Sequence, residues 1–174
     1  GFSNLMNTDI ELSKAERENF TELINTNSDL LLNLINDILD VSRIESGRMS
    51  FSFQQYSLNE LISTIYQTFQ VLMPENVELR MQIPEKSISI PTDKLRLTQV
   101  ITNFLSNAIK FTQKGYILIG YEYREEGRHV HIFVEDTGIG IPKEKQDAVF
   151  NRFTKLDEFA KGTGLGLSIC KVIA

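Results

Sequence analysis

Asn103, Asn107 and Lys110 follow one another at steps of four and three, with Gln99 four residues ahead of them. On a helix this spacing gathers all four into one stripe. Asparagine is a mediocre helix former, so stacking two of them one turn apart costs helix propensity. Alone, such a stripe ordinarily means a solvated face. Two glycine-punctuated runs further on change its reading: Asp136-Thr137-Gly138-Ile139-Gly140-Ile141 and Gly162-Thr163-Gly164-Leu165-Gly166-Leu167. Glycine allows a backbone to turn with positive φ and to come close to a ligand. Each run opens towards a plausible helix, whose first N–H groups suit an anion. An amide oxygen is a hard, neutral ligand for Mg²⁺, and a lysine neutralises phosphate charge. A carboxylate at a strand end accepts from an amino group. Together these are the parts of a site for a nucleotide and its metal.

The better-known phosphate signatures are absent. Glycines spaced two and two in the second run break the G-x-G-x-x-G pattern, and no G-x-x-x-x-G-K-[ST] occurs. The informative pattern is the ordered set: Asn103-x-x-x-Asn107-Ala108-x-Lys110-Phe111, Asp136-x-Gly138-x-Gly140, Phe150-x-x-Phe153, then Gly162-x-Gly164-x-Gly166-Leu167.

These residues need a scaffold, and the pattern of the chain supplies one. Phe2, Leu5 and Met6 read as the end of a helix over Gly1–Thr8. Ser13 and Glu16 have capping-box spacing and open a long amphipathic helix, closed near Ser46 by Gly47. Phe20, Ile24, Asn27, Leu31, Leu34, Ile38 and Val41 form a heptad seam along it, widened by Leu23, Leu30, Ile35 and Leu39. That width predicts a dimeric four-helix bundle with Asn27 setting the register. Met49, Phe51 and Phe53 alternate as in a strand. A second capping box, Ser57 to Glu60, opens a helix burying Leu61, Ile62, Ile65, Phe69 and Leu72, which Pro74 stops. Val77, Leu79, Met81 and Ile83 form a strand, and Ser87–Ile90 a shorter one. Pro91-Thr92-Asp93 starts the helix of the amide stripe, with Thr92 or Asp93 as cap and Leu97, Val100, Ile101, Phe104, Leu105 and Ala108 facing a core. Tyr116–Tyr123 and His129–Glu135 make a hairpin. Its second strand puts Val130, Ile132, Val134 and Asp136 on the core-facing side. His129 and His131 read as solvent-facing residues, since no third ligand accompanies them. Phe150 and Phe153 anchor a short helical turn, Lys155–Lys161 reads as a mobile lid, and a last helix begins near Gly166.

Composition narrows the class. Hydrophobic content of 41% and charged content of 24% are those of a globular chain. A net charge of −5 leaves no basic excess for nucleic-acid phosphates. One cysteine, Cys170, cannot form an internal disulfide and reads as core packing. No apolar run is long enough to span a bilayer, and no signal peptide begins the chain.

At this point the sequence resembles a sensor histidine kinase core. Thr102–Thr112 is similar to that family's N box, Asp136–Ile141 to its first glycine box, Val149–Phe153 to its F box and Lys161–Leu167 to its second glycine box. Asp37–Gly47 resembles the second helix of its dimerisation and phosphotransfer domain. The resemblance implies an α+β fold: a helical hairpin in a dimeric bundle over residues 1–47, then a two-layer α/β sandwich with a mixed sheet over 48–174. It implies ATP and Mg²⁺ as cofactors, with Asn107 binding the metal and Asn103 beside the metal and phosphates. Lys110 would contact phosphate, Phe111 pack on adenine and Asp136 accept from the adenine amino group. Gly138, Gly140 and Ile141 would shape the pocket, and Lys161, Gly162, Thr163, Gly164, Leu165 and Gly166 would form and hinge the lid. Asn103, Asn107 and Lys110 would be the catalytic set. The implied activity passes the γ-phosphate of ATP to a histidine and on to the aspartate of a response-regulator receiver domain. The implied place is the cytoplasmic portion of a membrane-anchored sensor.

Two departures from the family pattern predict a piece of a longer protein. The phosphoacceptor histidine would lie just before the stretch resembling Gly1–Thr8, and further glycine-rich strands would follow Ala174. The chain is therefore expected to bind nucleotide without phosphorylating itself. Two other readings stay open. A same-fold ATPase driving dimer closure would need a glutamate near the start of the stripe helix, where Arg96 and Gln99 stand. The other reading is a dimerising interaction module with a degenerate pocket.

Overall fold

The computed structural model describes residues 13–124, 129–154 and 163–174. The expected helix end over Gly1–Thr8 and the segment Lys155–Lys161 lie outside the described residues. The chain divides into two units between Arg48 and Met49.

In the first unit, helix α1 (Lys14–Glu45) begins as its sequence dictates. Ser13 Oγ accepts from the Glu16 N–H at 3.3 Å, and Glu16 Oε2 accepts from the Ser13 N–H at 2.9 Å. The Ser13 hydroxyl, with its backbone N–H, holds the Glu16 carboxyl below its ordinary pKa. Ser46 caps the other end, and Gly47 follows with φ of +65°. Leu23, Leu30, Leu31, Leu32, Ile35, Ile38 and Leu39 are all exposed along this helix. The Asn27 amide donates back to the Leu23 carbonyl at 2.7 Å.

The second unit is a two-layer sandwich. Strands β2 (Val77–Gln82), β4 (Gly115–Arg124) and β5 (His129–Asp136) form a mixed sheet in the order β2-β4-β5. β2 runs parallel to β4, and β5 antiparallel to it. A separate antiparallel ribbon joins β1 (Gln54–Ser57) to β3 (Ser89–Thr92). Helices α2 (Leu58–Gln70) and α3 (Lys94–Phe111) cover one face of the sheet. Their apolar faces interdigitate with it: Leu58, Leu61, Ile62, Ile65 and Phe69 from α2 and Ile101, Leu105 and Ala108 from α3 meet Val77, Leu79, Ile117 and Ile119. Each large aliphatic side chain so buried contributes about 1.5–3 kcal/mol. Tyr121 enters this core because its hydroxyl finds a partner, donating to Asn59 Oδ1 at 2.7 Å, while Asn59 Nδ2 donates to the Pro84 carbonyl at 3.1 Å. The other sheet face is polar: the Arg80 guanidinium stacks 4.2 Å from the Tyr116 ring centre and bonds Glu78, and the Tyr116 hydroxyl donates to Glu135 at 2.8 Å. Helix α4 (Gly166–Ile173) packs against α3.

Several expectations are corrected. Met49, Phe51 and Phe53 are not in a strand; β1 starts at Gln54, and the two exposed rings stack on each other at 5.9 Å. Ser57 accepts from the Glu60 N–H, but α2 ends at Gln70, before Pro74, so Leu72 lies past the helix and exposed. The second short strand is Ser89–Thr92, which leaves Asp93 as the cap of α3. Ile83 lies one residue beyond β2, and Met81 is exposed. Among the described residues no helix is long and apolar enough to cross a membrane.

Asp93 joins the ribbon to α3. Its Oδ2 accepts from the Ser52 N–H at 2.8 Å and its Oδ1 from the Arg96 N–H at 3.1 Å. These bonds, the first above all, hold its carboxyl below the ordinary aspartate value. A depressed folded pKa contributes stability above the unfolded value, near 4, and loses it as pH falls through the folded one. Asp93→Ala should therefore cost about 1 kcal/mol at neutral pH in urea unfolding. The gap from wild type should narrow below about pH 4; a gap constant with pH would show that the carboxylate charge contributes nothing.

Candidate functional site

The end of α3 and the first glycine loop are built against each other. Helix ends leave carbonyls without intrahelical partners, and here the Phe111 carbonyl accepts from the Ile139 N–H at 3.3 Å. A Cβ at residue 138 would lie 2.5 Å from that same oxygen, so only glycine permits the approach. The loop is fixed from its other side by Thr137. Its hydroxyl accepts from the Tyr116 N–H at 3.0 Å, and its own N–H donates to the Tyr116 carbonyl at 3.2 Å. Thr137 thus takes a ladder position where β5 ends.

Asp136 stands at that end. Its Oδ1 accepts from the Gly138 N–H at 2.8 Å, with the buried Thr112 hydroxyl 3.5 Å away. As the strand alternation predicted, Asp136 emerges on the core-facing side, paired with the buried Ile117 of β4, but as the last residue of β5 its side chain is exposed beside the loop. Both contacts fall on Oδ1, which orients a carboxylate that still meets solvent. Ile139 and Ile141 are exposed on the loop, and Gly140 has φ of +69° in open space.

The amide stripe lies on α3 as predicted, leading to this junction. Asn107 is half-buried one turn before Phe111. Lys110 is exposed in the last turn, its Nζ 4.9 Å from the half-buried Phe111 ring centre. A cation there also complements the helix dipole. Asn103, one turn earlier, meets α4: its Nδ2 donates to Cys170 Sγ at 3.5 Å. Gln99 accepts from the Arg96 guanidinium at 2.8 Å.

The second glycine loop is described from Thr163; Lys161 and Gly162 lie outside the described residues. Thr163 Oγ1 accepts from the Leu165 N–H at 3.1 Å. The Gly164 carbonyl accepts from the Phe153 N–H at 2.9 Å, and its φ of +73° suits glycine. Leu165 is completely buried, and its side chain anchors the loop from within. Gly166 opens α4 against Asn103. The expected aromatic anchor is half right. Phe150 is half-buried with the Lys171 ammonium 5.9 Å from its ring centre. Phe153 is exposed, at φ of +58°, and its backbone rather than its ring holds the turn. His129 and His131 face solvent on β5, and His131 Nδ1 lies 3.2 Å from Glu122 Oε1.

Residues 92–174 match the family described as histidine kinase-, DNA gyrase B- and HSP90-like ATPase. The catalytic domain of the histidine kinase ThkA is 31% identical to this chain, covering 71% of it and 80% of that domain, with a TM-score of 0.62. The chain belongs to the histidine kinase family. It carries the ATPase domain of two-component histidine kinases. The hybrid signal transduction histidine kinase A of Dictyostelium discoideum is 35% identical over an alignment of 185 positions that covers 98% of this chain and 8% of that protein. Full-length ShkA, solved in complex with AMPPNP, is 28% identical with a TM-score of 0.79, covering 96% of this chain and 35% of that one. ThkA solved with the response regulator TrrA is 26% identical, with a TM-score of 0.66 over 99% of this chain and 48% of that one. The chain thus spans a small part of its longer histidine kinase relatives.

The donor set fits a nucleotide with Mg²⁺. Asp136 offers an oriented carboxylate to a base amino group, and Asn107 offers a hard amide oxygen. No group of three His, Cys, Asp or Glu that could hold a metal occurs among the described residues. An ion bound by the amide stripe would therefore complete its shell with phosphate and water, as Mg²⁺ readily does. Sequence reading passed over Thr112 and Thr137, which carry no motif letter of their own and act by bracing Asp136 and its loop.

The two loop glycines separate close approach from conformation. Gly138→Ala must push the loop off Phe111 and should cost about 1–3 kcal/mol in unfolding free energy. Gly140→Ala, strained in φ but sterically open, should cost about 1 kcal/mol. Equal losses in urea titrations would mean that the Phe111 approach is not tight.

Proposed function

We propose that this chain binds ATP with Mg²⁺ at the junction of α3 and the two glycine loops. We further infer that its parent passes the γ-phosphate to a histidine and then to a response-regulator aspartate. The observation that carries this is the seating of Gly138 and Ile139 on the Phe111 carbonyl, which joins the end of the amide stripe to the strand end bearing Asp136. Asp136 accepts from the adenine amino group and Phe111 packs on the base. Lys110 meets phosphate, and Asn107, with Asn103 beside it, holds the metal. The second glycine loop, Lys161 and Gly162 included, closes the phosphate end. Bound Mg²⁺ supplies charge neutralisation at the phosphates.

In the transfer, the bond from the γ-phosphorus to the bridging oxygen breaks as an imidazole nitrogen bonds to phosphorus, and ADP leaves. The chain's two histidines both lie on β5, away from the stripe in sequence and facing solvent. Neither is the acceptor in this reading. The exposed apolar side chains along α1 support pairing with a second copy in a four-helix bundle. Relatives named as sensor kinases, and the ThkA–TrrA complex, support a receiver-domain partner. ATP is a cytoplasmic substrate, so the chain works on that side of any membrane its parent spans.

Calorimetry with ATP and GTP tests the site. Wild type should favour ATP, Asp136→Asn should lose most of that preference, and Asn107→Ala should remove the gain in affinity given by Mg²⁺. Unchanged behaviour in both variants would remove those residues from the site. Incubation with γ-labelled ATP should leave the chain unlabelled, and stoichiometric label on His129 or His131 would overturn the assignment of the acceptor. Leu31→Glu with Ile38→Glu should shift a dimer to monomer in sedimentation, with the sandwich still folded.

A further inference from the structure

We propose that Cys170 is a positioning residue for the Asn103 amide, holding it in the one orientation that presents its oxygen at the start of α4. This rests on the ATP–Mg²⁺ reading above. Cys170 is buried between α3 and α4, where a cysteine ordinarily serves as a small hydrophobe. Here the thiol is held in a directional chain. Its S–H donates to the Val100 carbonyl at 3.9 Å, and its sulfur accepts from Asn103 Nδ2 at 3.5 Å. With the proton committed to Val100, the sulfur presents lone pairs to Asn103. An amide rotated by half a turn would set its oxygen against those lone pairs, acceptor facing acceptor.

The other side of the amide is shaped by Gly166. A Cβ there would lie 3.0 Å from Asn103 Oδ1, closer to the oxygen than to any other atom. The oxygen therefore lies at the first residue of α4, where the second glycine loop ends, and the NH₂ group lies deeper, at Cys170. The absence of a side chain at Gly166 makes room for the amide, and the directional contact with Cys170 sets which of its two ends lies where. Orientation matters because the two ends of an amide have opposite chemistry: the oxygen is a hard ligand for a cation or its water, and the NH₂ repels one. Cys170, four residues beyond Gly166, thus links the docking of α4 to the polarity of the stripe without touching nucleotide.

Cys170→Ser keeps a donor and an acceptor, Cys170→Ala removes both, and Cys170→Val removes both while keeping the volume filled. In the full 174-residue chain, Ala and Val should weaken Mg-ATP binding roughly threefold to tenfold by calorimetry, the range of one lost hydrogen bond. Ser should stay within about twofold of wild type. In an Asn103→Ala background all three should bind alike, since a positioning residue has nothing left to position. A penalty that persists without Asn103, or Val binding like wild type, would mean that Cys170 only fills the core. The side-chain amide resonance of Asn103 in nucleotide-free protein gives a readout independent of ATP. It should shift in Ala and Val but not in Ser, and an unmoved resonance would overturn the proposal even if wild type bound no nucleotide.

Discussion

One carbonyl, that of Phe111, carries the geometry of the site. A helix end must find donors for its last oxygens, and a glycine loop must find something rigid to rest on. The Ile139 N–H bond meets both needs, and the absent side chain of Gly138 lets the backbones close. Because β5 runs directly into this loop and Thr137 ties it to Tyr116, the loop cannot settle on the helix without bringing Asp136 along. The sheet's register is thereby transmitted to the candidate base-binding carboxylate.

Helix α3 serves two masters. Ile101, Leu105 and Ala108 face the core, while Asn103 and Asn107 are half-buried and Lys110 is exposed along the polar stripe. Burial of the first set fixes the helix against the sheet by several kilocalories per mole, far more than the roughly 1 kcal/mol sacrificed by stacking asparagines. The second glycine loop refers to the same helix by another route. Leu165 is sunk in protein, α4 packs on α3, and the Phe153–Gly164 bond joins the preceding turn to the loop. Both loops are positioned by α3, one at its carboxyl end and one along its side.

What the sequence made legible was local or periodic. The Ser13–Glu16 box, the extent of α1, the amide stripe and the β4–β5 hairpin follow from spacing alone. Alternation misled at Met49–Phe53, because a pair of exposed rings stacking on each other has the same period as a half-buried strand. Leu72 was misplaced for a related reason: helical spacing continues past the point where α2 stops. Alternation places Asp136 on the core-facing side, where it pairs with Ile117, but does not encode its exposure, which follows from its being the last residue of β5. Cys170 is core packing as its apolar context indicates, but its contact with Asn103, 67 residues distant in the chain, is one that no local pattern encodes. The ring of Phe153 was assigned an anchoring role that its backbone performs.

The character of the stripe also separates the proposed transfer from simple hydrolysis. Attack by water on a phosphoryl group benefits from a base to take its proton, a carboxylate or imidazole within hydrogen-bond reach. Gln99, Asn103, Asn107 and Lys110 include neither, and the first turns of α3 offer Arg96 bonded to Gln99. An imidazole needs less help, since its neutral nitrogen already presents a lone pair near physiological pH. A surface of amides and one cation can orient and neutralise phosphates while leaving water without an activator. A neutral imidazole, the acceptor in the proposed transfer, attacks without first losing a proton, so amides and one cation on α3 would suffice for it where water would need a base.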